Sequence, residues 1–151
     1  MYVLIVVAVV LLVGAAFFFA SESRPQAPSV ATPPPAPKQP PAVHAPKGEL
    51  VSGFPSGLIL GATSSVASSF SLNYDENLNQ YTATFNSLQS MQNLYDAYLK
   101  YLQANNWTII NRITSNPGSL GIYATRGNAD VSVTIIASGS KSQAQVSYLL
   151  K

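Results

Sequence analysis

The chain has 151 residues, no cysteine and only 9% charged residues, well below the ~25% of ordinary globular proteins. From Glu49 onward five acids (Glu49, Asp75, Glu76, Asp96, Asp130) balance five bases (Lys100, Arg112, Arg126, Lys141, Lys151). Disulfides, thiol catalysis, Cys-ligated zinc and a cysteine lipid anchor are excluded, and no basic stripe exists for nucleic acid.

Tyr2 to Ala20 carry no charge, no Asn and no Gln. As an α-helix at ~1.5 Å per residue this run spans roughly 28 Å, close to the ~30 Å hydrocarbon core of a bilayer. Residues 1–20 therefore read as a transmembrane anchor helix, in contact with membrane lipid through residues 2–20. A cleaved signal peptide is the alternative. Against it, the run exceeds the usual ~7–15 residue signal core, no Lys or Arg precedes it, and Phe18 occupies position −3 of a cut after Ala20. The nearby charges, Glu22, Arg24 and Lys38, lean toward a cytoplasmic C-terminus by the positive-inside rule. The charge-poor, Pro-, Ser- and Thr-rich remainder outweighs that lean, so the expectation is a single-pass protein of the cell membrane with its C-terminal domain extracytoplasmic.

Residues 21–49 read as a proline-rich linker, with nine prolines between Ser21 and Lys47. Proline fixes φ and removes an amide donor, so neither a helix nor a central strand can form there. Extended as polyproline II at ~3.1 Å per residue, the stretch reaches roughly 80 Å. The one histidine, His44, falls within it and is expected to be solvated.

Residues 50–151 show clean alternation and read as a small α+β domain. Val66, Ser68, Phe70, Leu72 and Tyr74 are assigned to the apolar face of a first strand, and Asp75 to Asn79 to a hairpin turn. Tyr81, Ala83 and Phe85 continue that face with Thr82 and Thr84 outside. A helix follows, capped by Ser87 or Ser90. Its stripe is Leu88, Met91, Tyr95, Tyr98, Leu99 and Leu102, with Leu94 and Tyr101 at one margin. Asn105 and Asn106 end it, because Asn tolerates the left-handed conformation. Strands are then expected from Trp107 to Arg112, around Leu120 to Thr125, around Val131 to Ala137, and from Ala144 to Leu150. The expected fold is α+β: an antiparallel sheet of about 5–6 strands in ββαββββ order, one amphipathic helix on one face, and Ser, Thr, Asn and Gln on the other. An N-terminal transmembrane helix precedes it.

Phe54-Pro55, the downstream Gly61-Ala62, the strand pair, the amphipathic helix and the Asn106-Trp107 junction carry a resemblance. Residues 53–151 resemble a small domain recurrent in bacterial and archaeal secreted or membrane-anchored proteins of unknown function, in which Gly more usually precedes the Trp. The resemblance implies an envelope location and a ββαβββ-type fold, and no activity.

Asp75-x-Asn77-x-Asn79 copies the first ligand positions of a calcium loop. Gln80 stands where such a loop needs Gly, and Asn86 where it needs Glu. A hairpin turn favours Asp and Asn for its own backbone reasons, so a turn is expected, with Asp75, Asn77 and Asn79 kept as the calcium candidate. Tyr101 and Tyr123 fall off the apolar faces and are the ligand-surface candidates. No His or Cys follows His44 and no base accompanies any serine, so no catalytic residue, cofactor or metal is assigned. The expected function is a non-enzymatic binding or scaffolding module of the envelope, with an envelope protein or cell-wall glycan as partner. A pilin-like or secretion-system subunit and an envelope hydrolase are the alternatives.

Overall fold

The computed structural model describes residues 40–61 and 64–151. The expected anchor helix, and the expected linker as far as Gln39, lie outside the described residues. Among the described residues no helix is long and apolar enough to cross a membrane.

The elements in chain order are β1 (Ala42–His44), β2 (Ser65–Asn73), β3 (Asn79–Ser87), α1 (Met91–Ala104), β4 (Thr108–Ile113), β5 (Ser119–Arg126), β6 (Ala129–Ser138) and β7 (Lys141–Leu150). The strands make one antiparallel sheet in the order β1-β2-β3-β7-β6-β5-β4. Among the described residues seven strands form where about five to six were expected. The addition is β1, inside the stretch assigned to the linker, which pairs with Phe70, Ser71 and Leu72 at the sheet edge. Flanking prolines are tolerated there because an edge strand needs amide donors on one side only. His44 is exposed as expected, yet its ring lies 5.6 Å from that of Phe70.

Strand β3 feeds α1, which packs beneath β7, β6 and β5 and delivers the chain to the far edge, where β4 begins. Strands β4 to β7 then meander back until β7 pairs with β3 along its whole length. Tight turns drive the meander, with Gly127 at φ +60° and Gly139 at φ +63° opening two-residue hairpin loops of the kind that match strand twist.

The helix begins and ends on side-chain chemistry. Ser90 Oγ accepts from Asn93 N at 3.3 Å, which satisfies one of the first free amides. At the other end Trp107 N donates to Leu102 O at 2.9 Å and Asn106 N to Gln103 O at 3.2 Å. This is a Schellman closure, and Asn106 takes the left-handed position with φ +58°. Leu94, Tyr95, Tyr98 and Leu102 are buried, while Met91, Leu99 and Tyr101 are half-buried. Leu88 precedes the helix and is exposed. The buried stripe is thus centred closer to Leu94 than expected.

A helix about 10 Å wide cannot cover seven strands, and α1 leaves β2 and β3 to a second covering layer. Residues 50–60 supply it, with Val51, Phe54 and Leu58 buried and a 3₁₀ turn at Ser56–Leu58. Val51 N donates to Ser69 Oγ at 3.1 Å, and Ser69 Oγ donates to Thr82 O at 3.0 Å. Gly53, at φ +90°, lies against Tyr81 so closely that a Cβ would sit 2.6 Å from Cε1. Tyr98 OH donates to Leu58 O at 2.6 Å and ties this layer to the helix; burial pushes its hydroxyl far above the usual tyrosine range.

Strand β2 departs from its expected facing. Val66 pairs with Phe85, but Ser68 pairs with Thr84, so Ala67 is an extra residue, a β-bulge. One inserted residue reverses the parity of everything after it. Ser69 and Ser71 therefore share the core face with Ala83 and Tyr81, while Phe70 and Leu72 lie on the opposite face beside Thr82 and Gln80. Only Val66 of the expected apolar set keeps the core side.

Candidate functional site

The face of the sheet turned away from α1 is built from the polar half of each alternating strand. Cross-strand pairing aligns one row as Asn111, Tyr123, Ser132, Ser147, Thr82, Phe70 and His44. The adjacent row runs Ile113, Gly121, Thr134, Gln145, Thr84 and Ser68. Ser132, Thr134 and Gln145 are exposed. These two rows thus carry mainly hydroxyls and amides, with an aromatic ring toward each end, while Ile113, Ile136, Leu149 and Leu72 also take outward positions of the face and Thr82 is buried.

Part of that face is fixed by its own hydrogen bonds. Tyr74 OH donates to Gln80 Oε1 at 3.1 Å, Gln80 Nε2 to Thr82 Oγ1 at 3.3 Å, and Thr82 Oγ1 shares a bond of 3.1 Å with Ser147 Oγ. Linked side chains of this kind hold one another's rotamers.

A second network surrounds Asp130 on the same face. Tyr123 OH donates to Asp130 Oδ2 and Thr125 Oγ1 to Oδ1, each at 2.9 Å, and Lys151 Nζ pairs with Oδ2. Burial alone would raise the Asp130 carboxyl, but the bonds from Lys151, Tyr123 and Thr125 outweigh it and hold it below the usual carboxylate range. Burial, then the bond to that carboxylate and its charge, push the Tyr123 phenol up to about 12. At neutral pH one group stays ionised and the other stays protonated, so neither is tuned for proton transfer. Arg126 turns elsewhere: its guanidinium lies 4.5 Å over the Trp107 ring, and Nη1 donates to Asn105 O at 3.0 Å.

Between Tyr123, Asn111, Ile113, Gly121, Ser132 and Thr134 lies a recess of about 50 Å³. Gly121 creates it, since a Cβ there would already lie 3.3 Å from Ile113. The recess accepts a small substituent and falls far short of the ~300–1,000 Å³ of a typical ligand pocket.

The residues singled out from sequence do not converge. Tyr123 stands on the open face, toward its β4 end. Tyr101 is on the helix side, half-buried, with its hydroxyl 3.0 Å from where a Cβ on Gly57 would be. Asp75 Oδ1 accepts from Asn77 N at 2.9 Å within the β2–β3 turn, closed by Tyr74 N to Leu78 O at 3.0 Å. Asn79 is already in β3, flanked by Asn73 and Leu150. Among the described residues no group of three His, Cys, Asp or Glu side chains is placed to hold a metal. Sequence reading missed the Asp130 network, although Tyr123, Thr125 and Asp130 follow the outward parity of two strands joined by a two-residue turn.

A family model described as START domain-like matches residues 65–145, more than half of the chain. The chain belongs to the START domain-like family. The START domain-like match begins with the first residue of β2 and ends within β7, so it takes in both halves of the open face and the helix. It leaves out β1 and the covering layer at residues 50–60. No curated protein and no solved structure matches the chain.

Proposed function

We propose that this START domain-like chain is a membrane-anchored, extracytoplasmic binding or scaffolding module of the cell envelope, with the open face of the sheet as its contact surface. The observation that carries this reading is the face itself: a broad surface rich in uncharged hydrogen-bonding side chains, part of it held by the Tyr74–Gln80–Thr82–Ser147 chain. Groups fixed in advance lose little freedom on binding, which favours recognition. A non-enzymatic role is supported by the shallow recess and by the saturated Asp130 carboxylate. The apolar stretch 2–20 and the proline-rich linker that follows support placement at a membrane and away from its surface.

Two measurements test the reading. A C-terminal alkaline phosphatase fusion is expected to be active and to fractionate with membranes; an inactive fusion sinks the extracytoplasmic placement. A photo-crosslinker at Thr134, on the open face, is expected to form adducts in native membranes that one at Lys100, on the exposed side of α1, does not. Equal labelling at the two positions removes the case for this face.

A further inference from the structure

We infer that the open face takes an uncharged oligosaccharide, laid across the strands along the row from Tyr123 on β5 to Phe70 on β2. The inference rests on the open face being the contact surface, as proposed above, and adds the chemical class of what it contacts.

Three features select that class. The first is charge. Between Tyr123 and Phe70 the row offers the hydroxyls of Ser132 and Ser147, with Thr82 buried and bonded to Gln80 and Ser147, and the adjacent row offers Thr134, Gln145 and Thr84. The nearest ionised group, Asp130, is neutralised by Lys151. A polyanion would find no cationic row to bind. A neutral polyol finds alternating donors and acceptors, each able to serve as either.

The second feature is the distribution of apolar surface. Protein interfaces concentrate aromatic and aliphatic side chains at the centre and polar ones at the rim. Along this row the order is reversed, with Tyr123 at one end, Phe70 and His44 at the other, and hydroxyls between, while the aliphatic side chains of the face, Ile113, Ile136, Leu149 and Leu72, lie in the flanking rows. Pyranose rings present flat C–H surfaces to aromatic rings and hydroxyls around their edges, so a chain of sugars fits terminal rings and a polar middle. The third feature is dimension. Tyr123 and Phe70 are four strand steps apart, about 19 Å at ~4.8 Å per step, the length of a short oligosaccharide. The recess of about 50 Å³ beside Tyr123 has room for one hydroxymethyl or acetamido substituent.

The test uses the full chain in a zwitterionic detergent without a sugar headgroup. The probes are the tetrasaccharides of cellulose, chitin, starch and mannan, with a sulfated heparin tetrasaccharide as the anionic control, read by calorimetry. Saturable binding of at least one neutral tetrasaccharide, and none of the sulfated one, is expected. Tyr123→Ala should weaken it roughly tenfold, the scale of one lost aromatic contact. Tyr123→Phe keeps the ring and should stay within about twofold. Phe70→Ser and Thr134→Ala, which leave the Asp130 network intact, should each weaken binding and so decide the matter if Tyr123→Ala does not fold. No binding of any neutral tetrasaccharide overturns the inference, as does affinity that survives both Phe70→Ser and Thr134→Ala. If glycans fail while the Thr134 crosslinker still yields adducts, the ligand class is wrong and the contact face stands; if both fail, the face falls too.

Discussion

Tyr98 and Tyr95 sit one turn apart on α1, both buried, and the same one-atom change should act on them with opposite sign. Tyr98 OH donates to Leu58 O at 2.6 Å, and Leu58 is 2% exposed. Tyr98→Phe leaves that carbonyl buried without its donor, a loss of about 1–3 kcal/mol. For a domain of this size each kcal/mol moves the melting midpoint by roughly 4–8 °C, so a fall of at least ~4 °C is expected. The Tyr95 hydroxyl is buried with no hydrogen-bond partner among the described residues, so Tyr95→Phe removes an uncompensated polar atom and should be neutral or stabilising. Circular dichroism melts give the midpoints, and amide exchange on residues 51–59 reports whether the second covering layer has loosened. Exchange there should rise in Tyr98→Phe and stay unchanged in Tyr95→Phe. The burial of Tyr98 also adds an alkaline signature. Its folded pKa lies above the unfolded value near 10, so its contribution is complete below about pH 10 and is lost as pH rises further. The wild type should therefore lose more stability above that pH than Tyr98→Phe. Equal midpoints for the two variants, with unchanged exchange at 51–59, would refute the claim that this bond fastens the layer to the helix.

Asn106, at φ +58°, should gain up to about 1 kcal/mol on replacement by Gly and lose about as much on replacement by Ala, measured by urea unfolding. The Asp130 network should respond at both ends of the pH range. The carboxyl is held below its unfolded value near 3.9, so its contribution is present above about pH 4 and is lost on further acidification. The Tyr123 phenol is raised to about 12, so its contribution is complete below about pH 10 and fades between there and about pH 12. In denaturant titrations across pH, Asp130→Asn should flatten the acid limb and Tyr123→Phe the alkaline one.

Elements with one strong local signal were legible in the sequence. The alternation of β5 and β6, a serine cap at Ser87 or Ser90 and a left-handed end at Asn105 or Asn106 follow from residue type and spacing, and the structure selects Ser90 and Asn106. The facing of β2 was not legible. Its pattern fits a regular strand from Val66 to Tyr74, and the bulge at Ala67 arises because Ser69 can satisfy both Val51 N and Thr82 O in the core. That reason lies in a segment distant in sequence. β1 was hidden for a similar reason, since three residues between prolines carry no periodicity and gain a strand only from the open edge of β2. Within the site, Tyr123 was identified as a surface aromatic because parity sets it outward. Its pairing with Asp130 depends on the β5–β6 register, which the Gly127-Asn128 turn sets.

The pairing of β3 with β7 separates two kinds of folding event. Strands β2 and β3 form one local hairpin and β4 to β7 a local meander, each closed by short loops. Joining them means closing the chain from Asn79–Ser87 to Ser142–Leu150, a long-range step of the kind that slows folding. The Thr82–Ser147 hydrogen bond lies across that seam, with Phe70 on one side of it and Tyr123 on the other. A chain with both local units formed and the seam open owns every residue of the open face and no continuous face. Its appearance is therefore a kinetic marker for the final docking of the two halves.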